Sequence, residues 1–284
     1  MNDEPKTSKP VDDDATSVVD VEAETVAPIT SETIDGVPHP PGVGGLSDVG
    51  RVRELNEDNW HWEPLDGEVA LYAVADGMGG HDRGEVASQI AVESLFKVAG
   101  EKLVDVSTRD VRSLRDMLRD SMQSANRAVV MAGEEQDSNM GTTLVSAMTF
   151  GTKDALIANV GDSRAYLVRE SKLYPVSRDH SLVAYLVQLG ELTAEEARNH
   201  PSGNILVRSI GSVPEVEVDL YHLEIQAGDR IMICSDGLWG ELSDPRIQEI
   251  MNDNLNPQDA CRALVDAAND SGGRDNTTLI VVNV

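Results

Sequence analysis

The sequence predicts an α+β fold with helices packed on the outer faces of antiparallel sheets, and three observations carry that expectation. Six short apolar runs are each bounded by Gly, Asp or Asn, as strands are. Three longer stretches place their apolar residues at helical spacing. The central apolar runs follow one another in tight succession without helices between them, as antiparallel hairpins do and parallel crossovers cannot.

Taken in chain order, residues 1–44 come first. They hold no Phe, Trp or Tyr, six of the twelve prolines, and ten acids against two lysines. Such a mixture cannot bury enough apolar surface to offset the entropy of ordering it, so a disordered acidic tail is expected there and a folded domain over 45–284. Thr25 and Thr30 lie in an acidic stretch where a phosphate would make a docking handle for a basic partner, although a plain solvated tail is the simpler reading. The expected strands are ALYAVA (70–75), TTLVSAMTF (142–150), DALIANV (154–160), RAYLV (164–168), DRIMICS (229–235) and TTLIVVN (277–283). One helical stripe runs through Ala87, Ile90, Ala91, Leu95 and Val98, and a longer one through Val111, Leu114, Leu118, Met122, Ala125 and Val129. A third helix is expected from the cap Asn256 and first-turn Pro257 through Cys261, Leu264, Val265 and Ala268 to Gly272.

The charge excludes whole classes of function. Lys and Arg total 23 against 50 Asp and Glu, a net −27, so the chain repels nucleic acid and anionic lipid unless a cation intervenes. No apolar run reaches the roughly 18 residues of a membrane span and the N-terminus lacks a signal peptide's apolar region, so a cytoplasmic location without membrane insertion is expected. Cys234 and Cys261 are too few for a disulfide framework and have no metal-binding spacing; two buried thiols are expected.

Four aspartates stand out by position. Asp76 follows LYAVA, Asp162 follows LIANVG, Asp236 follows IMICS, and Asp275 precedes TTLIVV, so each sits at the lip of an apolar strand. Any one alone reads as turn chemistry, since Asp-Gly at 76–77 and 236–237 is a common hairpin signal. If the strand ends converge, several carboxylates share one rim and must take up protons or bind a cation. Hard oxygen ligands suit magnesium or manganese rather than zinc, and no His or Cys cluster competes. Ahead of the first strong strand, Arg53, Asn56, Glu57 and Asp58 add a guanidinium fork shaped for phosphate oxygens and acids able to hold a metal's waters, unless the run is simply a charged loop.

Together and in order, GRVRELNED (50–58), VADGMGGHDRGEVAS (74–88), MGTTL (140–144), NVGDSRAY (159–166), CSDGLW (234–239) and RDNTTLIVV (274–282) resemble the motifs of the metal-dependent protein phosphatases, the type 2C family of serine/threonine phosphatases. The resemblance spans about residues 46–284. It implies a four-layer α-β-β-α sandwich of two antiparallel sheets flanked by helices, with two divalent cations, Mn2+ or Mg2+, in a cleft at one end. By the same resemblance Asp76 bridges both metals, Asp236 and Asp275 complete one, the Gly77 carbonyl reaches the other, and Glu57 and Asp58 act through metal-held waters. Arg53 matches the phosphate-binding arginine, and Asp162 matches the acid that, with Asp236, holds a third and weaker metal. Arg53, Asp58 and Asp76 are thus the implied catalytic residues. The implied chemistry is direct hydrolysis of phosphoserine and phosphothreonine by a hydroxide generated between the metals, without a phosphoenzyme.

One position departs from many members of the family. Where they carry a histidine after the first Asp-Gly, proposed to protonate the leaving oxygen, this chain has Met78, whose thioether has no proton to give. His81, a metal-held water and Asp58 remain as alternatives. Residues 179–211 match the family's flap beside the active site, and Thr193 with Glu196 has capping-box spacing, so a short helix is expected inside it. The implied partners are phosphoserine and phosphothreonine proteins, including a cognate serine/threonine kinase and its substrates, acted on by a monomer. Two other readings were weighed. GDSRA (161–165) comes within one residue of a serine-hydrolase elbow, but that motif needs a helix after the serine and a hairpin is expected here. A catalytically degenerate phosphatase-like module that binds phosphoproteins as a sensor is the alternative of a different class, and the full set of acids weighs against it.

Overall fold

A computed structural model describes residues 42–78, 83–198 and 200–284. Within it the chain runs through β1 (Val43–Asp48), β2 (Asp58–Pro64) and β3 (Val69–Met78), then helices α1 (Gly84–Leu103) and α2 (Val111–Gln136). There follow β4 (Gly141–Thr142), β5 (Leu144–Phe150), β6 (Asp154–Val160), β7 (Arg164–Arg169) and β8 (Lys172–Pro175). The 179–211 segment holds the short helices α3 (Leu182–Gln188) and α4 (Ala194–Arg198). The C-terminal part adds β9 (Asp219–Glu224), β10 (Arg230–Cys234), α5 (Asp236–Trp239), α6 (Asp244–Asp253), α7 (Pro257–Ser271) and β11 (Thr277–Asn283).

The strands form two antiparallel sheets. One has the order β1-β11-β10-β7-β8; the other runs β2-β3-β5-β6-β9, with β4 pairing β3. Period-two alternation explains the layers. Leu71, Ala73 and Ala75 of β3 pack under α1 and α2, whereas Tyr72 and Val74 between them face the opposite sheet. In the second sheet Ile231 and Ile233 of β10 meet that middle layer while Met232 and Cys234 turn outward to α6 and α7. Three apolar layers between four layers of secondary structure result, which is the expected α-β-β-α sandwich.

Local chemistry accounts for the helix ends. Asn256 accepts from the N–H of Gln258 and of Asp259, Pro257 opens α7, and Gly272 closes it with a positive φ. Asp110 caps α2 through Ser113. Thr193 and Glu196 form the expected reciprocal box at α4, with Thr193 N–H to Glu196 Oε2 at 2.8 Å and Glu196 N–H to Thr193 Oγ1 at 3.2 Å.

Two expectations change in detail. The run 142–150 breaks at Thr143 into β4 and β5. Val43 and Gly44, expected as the end of the tail, instead start β1, where they pair with Val282 and Val281 of β11. Residues 1–41, including Thr25 and Thr30, lie outside the described residues. Cys234 and Cys261 are both buried in the layer under α6 and α7, and burial pushes each thiol up to about 12, so they are packing residues. Among the described residues no helix is long and apolar enough to cross a membrane.

Candidate active site

Strand direction brings the acids together. β3 and β6 run the same way, so Asp76 near the end of one and Asp162 just past the other reach the same end of their sheet. In the facing sheet β10 ends at Cys234, Ser235 precedes α5, which carries Asp236 in its first turn, and Asp275 lies just ahead of the antiparallel β11. Asp58 opens β2 and is the register partner of Asp76, a pairing of like charges that destabilises a sheet unless something offsets it. Arg53, Glu57, Asp76, Gly77, Asp162, Asp236 and Asp275 all line one cleft, with Met78, Thr143, Asn204, Leu206 and Asn276 completing its wall. Asp58 sits behind them, and its Oδ2 accepts from Ser235 Oγ at 2.8 Å.

The close approach of backbone explains the glycines of the motifs. A Cβ on Gly77 would stand 2.2 Å from the carbonyl oxygen of Gly84 and 2.5 Å from that of Glu57, so only glycine lets the end of β3 meet the start of α1. Gly77 N–H donates to Glu57 O at 3.1 Å, which ties the acid-bearing loop to the strand.

Burial and mutual repulsion set the electrostatics. Burial first, then the charges of Asp58, Asp236, Asp162 and Asp275, hold the Asp76 carboxyl well above the usual carboxylate range. Burial raises Asp58 to about 7 against hydrogen bonds from Thr278 and Ser235, and the charges of Asp236 and Asp275 add to the rise. Asp162 goes to about 8 through burial and the neighbouring Asp236 and Asp179. Asp236 rises to about 6 through burial and Asp275. Burial also raises Glu57. Among the described residues that line the cleft Arg53 is the cation: it donates to Asp275 Oδ2 at 2.7 Å and lies 4.0 Å from Glu57 Oε2.

Several residues that the sequence did not single out hold this arrangement. Asn276 accepts from Glu57 N–H at 2.8 Å and donates to the carbonyls of Val49 and Leu55 at 2.9 and 3.0 Å, pinning the whole Arg53 loop. Thr143 exchanges bonds with Asp76, accepting its N–H at 3.0 Å and donating its own at 2.9 Å. Behind Asp162, Trp239 Nε1–H donates to its carbonyl at 3.1 Å, and the Arg164 guanidinium stacks 3.7 Å from the Trp239 ring while gripping Asp179 at 2.9 and 2.7 Å. His180 is buried, with Nδ1 accepting Gly161 N–H at 3.1 Å, a role that no motif signalled. Ser163 shares a 2.6 Å hydrogen bond with Thr143 and is followed by strand β7, so it is not a nucleophile elbow. His81 lies in 79–82, outside the described residues.

The family model for protein phosphatase 2C matches residues 50–269. The chain belongs to the protein phosphatase 2C family. It is 38% identical over 238 residues to the serine/threonine phosphatase stp of Listeria monocytogenes, covering 83% of this chain and 93% of that relative. The serine/threonine phosphatase of S. agalactiae superposes with a TM-score of 0.79 at 35% identity, over 86% of this chain and 99% of that one. The catalytic domain of the phosphatase PstP, in complex with two manganese ions, superposes with a TM-score of 0.73 at 34% identity, over 86% and 97% of the two chains.

Members of protein phosphatase 2C are metal-dependent, and the residues of this cleft fit divalent cations. Asp58 Oδ1 and Asp236 Oδ1 are buried without a hydrogen-bond partner among the described residues, an expensive arrangement for oxygens that have nothing to accept from. The donors are hard oxygens, the class that takes manganese or magnesium. Among the described residues no three His, Cys, Asp or Glu side chains are already drawn in as a closed ligand group. The acids line the cleft rather than converge on one point.

Proposed function

We infer that this phosphatase 2C member hydrolyses phosphoserine and phosphothreonine in proteins at the cleft between the two sheets. The observation that carries the reading is that Asp76, Asp162, Asp236 and Asp275, from both sheets, line one cleft with Asp58 behind them, partnerless buried oxygens on Asp58 and Asp236, and the guanidinium of Arg53 alongside. In this reading Asp76, Asp236, Asp275 and the Gly77 carbonyl hold two divalent cations, Glu57 and Asp58 orient waters around them, and Asp162 with Asp236 forms a third, weaker site. When bound, the cations supply the positive charge that the acids lack and activate the attacking water. Arg53 is 45% exposed at its side chain, so its fork is free to turn from Asp275 to the phosphate oxygens and meet the charge of the transition state. Thr143 and Asn276 keep the Asp76 and Glu57 backbones in place throughout. Met78 lines the cleft but offers no proton, so the leaving oxygen takes its proton from a metal-held water or from Asp58, whose carboxyl burial raises in the metal-free protein as it does those of Asp76 and Asp162.

The same reading places the enzyme in the cytoplasm, where two unpaired buried thiols are at home, as a monomer opposing a serine/threonine kinase by acting on it and on its substrates. Phosphate release from a phosphothreonine peptide tests the chemistry. Release with manganese that is abolished by chelator and by Asp236→Ala is expected. A folded, manganese-loaded protein that holds the peptide without releasing phosphate would make it a phosphoprotein sensor instead.

A further inference from the structure

A strand edge beside the cleft has no partner. In the 179–211 segment Ser181 and Leu206 form an isolated antiparallel bridge, with Leu182 N–H donating to Ile205 O at 2.8 Å and Val207 N–H to His180 O at 2.9 Å. Those two bonds flank the pair, so the N–H and C=O of Leu206 itself point away from Ser181. Among the described residues neither group is hydrogen-bonded. Leu206 lines the acid cleft together with Asp76 and Asp236. Ile205 and Val207, on either side of it in the chain, are 50% and 58% exposed.

We propose that the open backbone edge of Leu206 is where the substrate docks: an extended phosphorylated segment of protein pairs with it through main-chain bonds, with the phosphorylated residue opposite Leu206. The inference rests on the phosphatase reading and names how the substrate reaches that site. Directly opposed residues of paired strands turn their side chains to the same face, so the residue across from Leu206 points into the acid cleft. Its two neighbours lie beside the exposed side chains of Ile205 and Val207, which selects apolar side chains next to the phosphorylated residue. Main-chain bonds supply affinity that is independent of sequence, and the flanking contacts supply selectivity. An acidic peptide gains nothing here, because a chain of net charge −27 repels it.

The test modifies the peptide and leaves the enzyme intact. The full-length, manganese-loaded protein is given p-nitrophenyl phosphate and three phosphothreonine peptides with valine on both sides: one unmodified, one N-methylated at the phosphothreonine, one N-methylated at the following residue. In an antiparallel addition the phosphothreonine N–H bonds Leu206 C=O; in a parallel one the next N–H does. One methylated peptide, and only one, should lose about three- to tenfold in kcat/KM, and which one reads the direction of the added strand. Equal rates for all three peptides, or equal losses for both methylated ones, overturn the docking proposal while the phosphatase reading stands. Failure to hydrolyse p-nitrophenyl phosphate overturns the phosphatase reading, and the proposal with it.

Discussion

Arg53 is the one cation that the described cleft sets directly against its acids, and its 2.7 Å bond to Asp275 shows what the surrounding charge demands of it. Arg53→Ala should lower kcat/KM toward a phosphothreonine peptide by on the order of 100-fold, and Arg53→Lys should restore only part of that, because an ammonium lacks the planar fork. Steady-state kinetics on the two variants decide it. Asp219, outside the cleft, is legible in its pH dependence. Burial pushes its carboxyl up, but hydrogen bonds and charge from His180 and Arg208 outweigh burial and hold it at about 2. A carboxyl depressed in the fold contributes stability that is complete above its unfolded value near 4 and is lost as pH falls toward 2. Asp219→Asn should therefore cost on the order of 1–2 kcal/mol at pH 6, and its denaturation midpoint should meet that of the wild type between pH 4 and pH 2. A gap of the same size at both ends of that range would show that the charge of Asp219 does not matter. Arg53, Glu57 and the strand-end aspartates were readable as residues because their chemistry is distinctive. Asn276, Thr143 and His180 were not, because their work is to hold backbone groups that come from distant parts of the chain.

Among the elements, α5 is the shortest helix and the most exacting. A Cβ on Gly237 would lie 2.0 Å from the carbonyl oxygen of Asn276, so the first turn of α5 touches the start of β11 backbone to backbone. Gly237→Ala should push Asp236 away from Asp275 and abolish phosphatase activity while leaving a cooperative thermal transition, as melting curves beside activity assays would show. Asn256→Ala acts differently: it removes an N-cap at the far end of α7 and should cost about 1 kcal/mol with kcat unchanged. α7, with its stripe and both caps, is legible in sequence to the residue, and α2 starts where its stripe does at Val111 but runs on to Gln136, past the last stripe residue Val129. β9 and α6 were not singled out, because DLYHLE and DPRIQEIMND carry charged residues on their solvent side and only their tertiary contacts give them an inside. β1 was partly assigned to the tail for a similar reason: VGGLSD has little strand propensity, and its pairing with β11 supplies the order.

At the scale of the whole molecule, the sandwich concentrates repulsion at one end and leaves a cation to relieve it. Asp58, Asp162 and Asp236 have folded-state values of about 7, 8 and 6, all above the ordinary carboxylate value. Acids raised in this way subtract stability as pH climbs from their unfolded value near 4 through their folded values. In the proposed function divalent cation competes with protons for the same oxygens. Manganese should therefore raise Tm over the chelated protein by more at pH 8 than at pH 5.5, and equal shifts at the two pH values would place the stabilising metal away from these carboxylates.

Sequence alone determined which residues are the candidates to meet the phosphate and the metals, because six ordered motifs single them out, and it determined the α+β class, because periodicity and caps are local properties. What only the tertiary structure decided is how those acids face one another. Asp58 opposite Asp76, Ser235 on Asp58 and Asn276 on the Arg53 loop all depend on strand register and on two sheets stacked face to face. The open edge at Leu206 belongs there too, since a free backbone group is defined by which neighbours the fold leaves out, and that is a property of packing that no single stretch of chain contains.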